Sequence, residues 1–153
     1  MLESFEVVSG DLFTDLSKKK NFILLHSCNA QGRWGSGIAK TFHSKFKNAY
    51  EQYRTHPKKV GNGFIVSENG YRIGCLITSK GYGKYVDPPK QIAESTYIAL
   101  KELLENVSDT DIEIHSPKIN AGLFNTPWQW TKKSIVKACE ESNKRIKWVV
   151  WEL

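Results

Sequence analysis

His26-Ser27-Cys28-Asn29-Ala30-Gln31-Gly32-Arg33-Trp34-Gly35-Ser36-Gly37-Ile38-Ala39 is the stretch whose reading decides the fold. It follows Phe22-Ile23-Leu24-Leu25, a continuous apolar run of the kind expected in a strand buried on both faces. After it, apolar residues recur at Ile38, Ala39, Phe42, Phe46, Ala49, Tyr50 and Tyr53, which is helical spacing. The order is therefore strand, glycine-bearing turn, helix. Gly32, Gly35 and Gly37 let the backbone approach a ligand closely, and free N–H groups at the helix start favour an anion.

Working outward, Phe5-Glu6-Val7-Val8 alternates and predicts a first strand. Gly63-Phe64-Ile65-Val66-Ser67 and Arg72-Ile73-Gly74-Cys75-Leu76-Ile77-Thr78 predict two more, joined by a hairpin turn with Asn69-Gly70 at its centre. A helix is expected near Asp87-Pro88, with Asp87 as its cap and Ile92, Thr96, Ala99, Leu100, Leu103 and Leu104 inward. Asp111-Ile112-Glu113-Ile114-His115 alternates as a strand. Thr126-Pro127-Trp128-Gln129 has the spacing of a capping box opening a further helix, with Trp128, Ile135, Val136 and Cys139 inward. Lys147-Trp148-Val149-Val150-Trp151 predicts the last strand. No linker, repeat or low-complexity segment interrupts the pattern, so residues 1–153 are read as one α/β domain, a mixed central sheet between helices.

Composition narrows the class. In 153 residues, 40% are hydrophobic and 25% charged, and the mean hydropathy is −0.44, which excludes a disordered tail. Apolar runs such as Phe22 to Leu25 fall far short of the ~20 residues that span a bilayer, and no signal-peptide pattern opens the chain. Cys28, Cys75 and Cys139 form no CxxC pair, so neither a zinc site nor a disulfide framework is favoured and a reducing intracellular setting is expected. The net charge of +6 attracts polyanions or phosphate-bearing small molecules without choosing between them.

Three segments place small or polar residues at strand ends: Gly10-Asp11-Leu12, the stretch quoted first, and Pro117-Lys118-Ile119-Asn120-Ala121-Gly122-Leu123-Phe124-Asn125-Thr126-Pro127-Trp128. The last two both run strand, glycine turn, helix, and together can grip two phosphates at the carboxyl ends of the strands. Neither ends in Gly-Lys-Ser/Thr, and the glycines do not form GxGxxG in context, so a P-loop kinase or a nicotinamide dehydrogenase is a weak reading.

In order and content, these three motifs resemble the macro domain family, and most closely its yeast-type ADP-ribose 1″-phosphate phosphatases. The resemblance implies a three-layer α/β/α macro fold, no cofactor, and an ADP-ribose cleft. It implies that Asp11, between Gly10 and Leu12, accepts the adenine amino group. It implies that Asn29, with Ser27 and Cys28 before it, lies beside the distal ribose. Trp34, Gly35, Ser36, Gly37, Ile38 and Ala39 would form the first phosphate loop. Asn120, Ala121, Gly122 and Leu123 would form the second, with Phe124 against the distal ribose. The implied substrate is ADP-ribose 1″-phosphate, a by-product of tRNA splicing, cleaved to ADP-ribose and phosphate by a cytoplasmic, or also nuclear, monomer.

Two other readings stay open. One macro branch removes ADP-ribose from acidic side chains with a lysine after a Leu-Ile-Thr strand and an aspartate in the last loop. Here Ser79 follows Leu76-Ile77-Thr78, Lys80 comes one place later, and Phe124 stands where the aspartate would be. A hydrolase of ADP-ribosylated protein, or a reader that only binds it, is the alternative. The scattered lysines, including Lys18-Lys19-Lys20 and Lys132, Lys133 and Lys137, form no single-strand motif, so nucleic acid is not the expected partner.

For the phosphatase chemistry, His26 is expected at a strand end facing the cleft as acid or base, and Asn29 as the group orienting ribose and water. Cys28 and Arg33 are separated by four residues, so the Cys-x5-Arg phosphatase motif is not met, and Cys28 is read as a small buried thiol. No carboxylate or histidine cluster indicates a two-metal site, and no metal is expected.

Overall fold

The computed structural model describes residues 1–15, 21–35, 37–122 and 124–152. Ser36, Leu123 and the Lys18-Lys19-Lys20 run lie outside the described residues. Six strands are described: β1 (Leu2–Ser9), β2 (Ile23–Asn29), β3 (Gly63–Glu68), β4 (Tyr71–Ser79), β5 (Asp111–Ser116) and β6 (Arg145–Glu152). They form one sheet in the order β1-β6-β5-β2-β4-β3. All pairs are parallel except β3 against β4, which the hairpin makes antiparallel. Asn69 and Gly70 both have positive φ (51° and 82°), the backbone that a two-residue turn of this twist requires.

The continuous apolar run of β2 is buried on both faces, as its composition predicts. Period-two alternation sends Ile23 and Leu25 into one core and Leu24 and Cys28 into the other. The first core is closed by α4 (Pro89–Asn106) and α5 (Trp128–Glu140), through Leu100, Leu103 and Ile135. The second is closed by α2 (Gly37–Lys45) and α3 (Lys47–Thr55), through Phe42, Phe46, Ala49 and Tyr53. A short α1 (Leu12–Asp15) follows β1. The result is a three-layer α/β/α arrangement on a mixed sheet, as read from the sequence.

Three local expectations are corrected. The helical spacing from Ile38 to Tyr53 covers two helices, because Phe46 leaves the helical region at φ −131°, ψ 68°. Asp87 does not cap α4: Pro88 occupies that position, and the Asp87 carboxylate instead accepts the Lys80 N–H at 3.0 Å. The capping box at Thr126 does not form, since Pro127 is the residue before α5 and the Thr126 hydroxyl donates to the Phe124 carbonyl at 3.2 Å. In both cases a proline with extended backbone enters the helix directly. In α5 the inward side is Thr131, Ile135, Ala138 and Cys139, with Trp128 and Val136 only half-buried.

Candidate active site

β2 lies between β5 and β4, so the loops leaving the carboxyl ends of these three parallel strands converge. They enclose a cleft of about 380 Å³. Its floor is Ser27 and Asn29 at the end of β2. One wall is Gly35 with Gly37, Ile38 and Ala39, the opening turn of α2. The opposite wall is Asn120, Gly122 and Phe124 in the loop after β5. Both glycine loops singled out in the sequence therefore face each other across one cavity. The first N–H groups of α2 have no acceptor within the helix, which leaves donors and the positive end of the helix dipole at the cleft.

Asn29 is 5% exposed, and its carboxamide is occupied in building the loop. Its Nδ2 donates to the Arg33 carbonyl at 2.7 Å. Its Oδ1 accepts the N–H groups of Gln31 and Arg33 at 3.1 and 3.2 Å, and the Tyr53 hydroxyl at 3.3 Å. This asparagine is the clip that folds residues 29–33 back over α3. Asn120 plays the matching part opposite. It sits at φ +64°, accepts the Thr78 hydroxyl at 2.9 Å, and donates to Thr96 and Thr131 at 2.9 and 3.4 Å. Its own N–H donates to the Ser27 hydroxyl at 3.2 Å, tying the second loop to the floor of the first.

Several predicted residues stand elsewhere. His26 does not face the cleft. The alternation that sends Leu24 and Cys28 toward α2 takes His26 with them, and it is fully buried and stacked on Phe42 at 4.0 Å and 4°. Cys28 is in the same core, not against the ligand space. Trp34 is 1% exposed, stacked on Tyr53 at 4.9 Å and edge-on to His26 at 4.7 Å, so it anchors the loop from beneath instead of lining the cleft. Gly10, Asp11 and Leu12 lie beyond the cavity wall. Gly10 continues β1 by donating to the Glu152 carbonyl at 2.8 Å, Asp11 accepts the Phe13 N–H at 2.9 Å at the start of α1, and Leu12 is core. Ala121 is exposed in the second loop without lining the cavity.

Conversely, Arg33, Tyr82, Gly83, Pro117, Lys118 and Ile119 line the cleft and were not singled out as site residues. The signal was available for Tyr82. It follows β4, which is parallel to β2, so its loop had to open on the same side. Gly83 at φ +61° shapes this loop, and Tyr82 stays 40% exposed at the mouth. Lys80, by contrast, is exposed and outside the lining.

The electrostatics of the cleft are one-sided. Among the described residues its lining contains Arg33 and Lys118 and no carboxylate. Lys118 pairs with Glu152 and lies 6.0 Å from the Trp128 ring. His26, Cys28 and Cys75 bring a nitrogen and two sulfurs within 4.8 Å of one another in the core below. The Cys28 sulfur is 3.5 Å from Nε2 and 3.9 Å from Nδ1 of His26. Burial raises both thiols. The hydrogen bond with Cys75 and the adjacent imidazole outweigh it at Cys28, which is held below the ordinary thiol range, while Cys75 is pushed well above it.

The comparisons with known proteins agree with this geometry. Residues 25–135 match the family model described as Macro domain. The chain is 34% identical over 163 aligned positions to a Debaryomyces hansenii protein named ADP-ribose 1″-phosphate phosphatase, covering 85% of this chain and 91% of that one. It is 35% identical over 145 positions to the Candida albicans protein of the same name, covering 85% and 90%. Among solved structures, the macrodomain of Mycobacterium tuberculosis DarG superposes with a TM-score of 0.76 at 18% identity, covering 97% of each chain, which speaks to the fold. No described helix is long and apolar enough to cross a membrane.

Proposed function

This chain belongs to the macro domain family, and from that premise we propose that it hydrolyses ADP-ribose 1″-phosphate to ADP-ribose and inorganic phosphate. One observation carries the reading. The cleft sits between a helix N-terminus and a glycine loop, and the described residues lining it are cationic or neutral, never acidic. That lining suits a ligand whose centre is a diphosphate and whose end carries a further phosphate. The similarity to proteins named for this activity supports the same substrate.

The diphosphate lies between the opening turn of α2 and the loop around Gly122, held by backbone N–H groups. The distal ribose lies over Asn29 and against Phe124. The adenine extends toward β1, where Asp11 is exposed at the strand end. Hydrolysis adds water across the bond between phosphorus and the 1″ oxygen: the hydroxyl goes to phosphorus and the proton to the oxygen. The leaving oxygen belongs to a hemiacetal, which departs more readily than an ordinary alkoxide. Neither a carboxylate nor an imidazole is among the described lining residues, so rate acceleration falls to positioning and to stabilisation of phosphoryl charge by N–H donors and Arg33. The chain acts as one domain over residues 1–153, with a nucleotide small molecule as its partner.

An ADP-ribosyl-protein hydrolase is less well supported. Lys80 lies outside the cleft, and Phe124 holds the place where that chemistry uses an aspartate. Phosphate release from ADP-ribose 1″-phosphate, followed colorimetrically, tests the proposal. Saturable release supports it, and binding of ADP-ribose with no release reduces the chain to a reader.

A further inference from the structure

Resting on the substrate reading above, we propose that Arg33 reads the terminal monoester phosphate and thereby sets the preference of the cleft for a phosphorylated distal ribose over a bare one. The order of strands gives the ligand its direction. Asp11 follows β1 at the sheet edge, and Arg33 follows β2, three strands away. At ~4.8 Å per strand the two ends stand about 14 Å apart, a span suited to an extended nucleoside diphosphate sugar. A ligand with its adenine at the β1 end delivers its distal ribose to the Arg33 end.

Arg33 is also the cation left over. Its side chain is exposed and has no hydrogen-bond or ion-pair partner among the described residues. The other cationic lining residue, Lys118, is paired with Glu152 on β6, on the adenine side of the cleft. The inner diphosphate is served by backbone amides, which leaves the guanidinium for a further phosphate. Its base is fixed, because the Asn29 carboxamide binds both the N–H and the carbonyl of Arg33. The preceding residue is held as well, since Lys58 packs so closely on Gly32 that a Cβ there would stand 3.1 Å from its side chain. A planar guanidinium matches two oxygens of a phosphate dianion.

The test compares wild type, Arg33→Ala and Arg33→Lys by kcat/KM for phosphate release from ADP-ribose 1″-phosphate, and by calorimetric Kd for ADP-ribose. The exposed side chain makes both variants compatible with folding. Arg33→Ala is expected to lower kcat/KM roughly 10- to 100-fold, the worth of a charge-assisted hydrogen bond, and to leave the ADP-ribose Kd within about twofold. Arg33→Lys is expected to recover part of the loss, since it keeps the charge without the fork. Equal weakening of both ligands, or no change in either, overturns the assignment. A wild type that binds both ligands and releases no phosphate contradicts the hydrolase reading. In that case the Kd values of the two ligands decide the role of Arg33 by the same criterion.

Discussion

Replacing Asn29 with alanine separates a group that acts on the substrate from one that builds the loop. The structure assigns it the second task, because its carboxamide makes three hydrogen bonds to the backbone of Gln31 and Arg33 at 2.7–3.2 Å. The contact with the Tyr53 hydroxyl adds little, since that hydroxyl also donates to the Asn29 carbonyl at 2.5 Å and keeps that bond in the variant. Three lost bonds at about 1 kcal/mol each, partly replaced by water at the exposed Gln31 and Arg33, amount to about 2–3 kcal/mol. For a chain of this size that lowers Tm by roughly 6–9 °C. The same loop carries Arg33 and leads to Gly35 and α2, so a displacement on the order of 1 Å should reduce kcat/KM about 100-fold. Differential scanning calorimetry and the phosphate-release assay measure the two quantities on one preparation. Asn29→Asp keeps the accepting oxygen but sets a second acceptor 2.7 Å from the Arg33 carbonyl, so it should not restore the lost stability. If Asn29→Ala abolishes turnover while Tm moves by less than about 2 °C, the loop-building account is wrong and the amide acts on the ligand directly.

Four further outcomes follow from the same geometry. A Cβ at Gly122 meets nothing within 4 Å and its φ is not positive, so Gly122→Ala should leave Tm unchanged and raise KM by intruding on the ligand space; an unchanged KM removes this loop from the site. Gly63→Ala puts its Cβ 1.9 Å from the Ala99 carbonyl oxygen, forcing α4 from the sheet, and should cost more than about 3 kcal/mol in chemical denaturation. Cys28 and Cys75 are 2% and 0% exposed, so native protein should resist thiol alkylation there, and Cys28→Ala should retain turnover; loss of turnover without loss of stability implicates the thiol in the reaction. Arg72 binds both carboxylate oxygens of Asp109, at 3.0 and 3.2 Å, and holds its carboxyl below the usual range of 3.8. A lowered folded-state pKa contributes stability at pH values above the unfolded-state pKa, and that contribution disappears as pH falls through the folded-state pKa. The stability gap between wild type and Asp109→Asn, measured by denaturant titration, should be constant from about pH 5 to 8 and shrink below about pH 4.

The layout was legible where a pattern reports burial, and less so where it must report direction. The apolar run before His26 marks β2 as covered on both faces, and Leu24 and Leu25 do enter opposite cores. For the same reason the run could not say which face His26 joins: both are apolar, and only the packing of Phe42 settles it. The glycine loops were legible because a missing side chain next to a helix start has few uses. Asn29 and Asn120 both line the cleft, yet each turns its amide into the protein: Asn29 onto the backbone of Gln31 and Arg33 in its own loop, and Asn120 onto hydroxyls of which Thr78 and Thr96 come from distant parts of the chain. Trp34 belongs to the motif that resembles a first phosphate loop, but Tyr53 and His26 bury it. Arg33 and Lys118 stand in the two quoted loops but were not singled out as site residues. Their meaning depends on which carboxylates are near, and that is settled by the arrangement of β5, β6 and β2.

Offering the protein ADP-ribose 1″-phosphate and a mono-ADP-ribosylated protein side by side, and measuring what each releases, tests the phosphatase activity directly. Inorganic phosphate and ADP-ribose are expected from the first, with little ADP-ribose from the second. Release of ADP-ribose from the modified protein, with the phosphorylated nucleotide left intact, would contradict it.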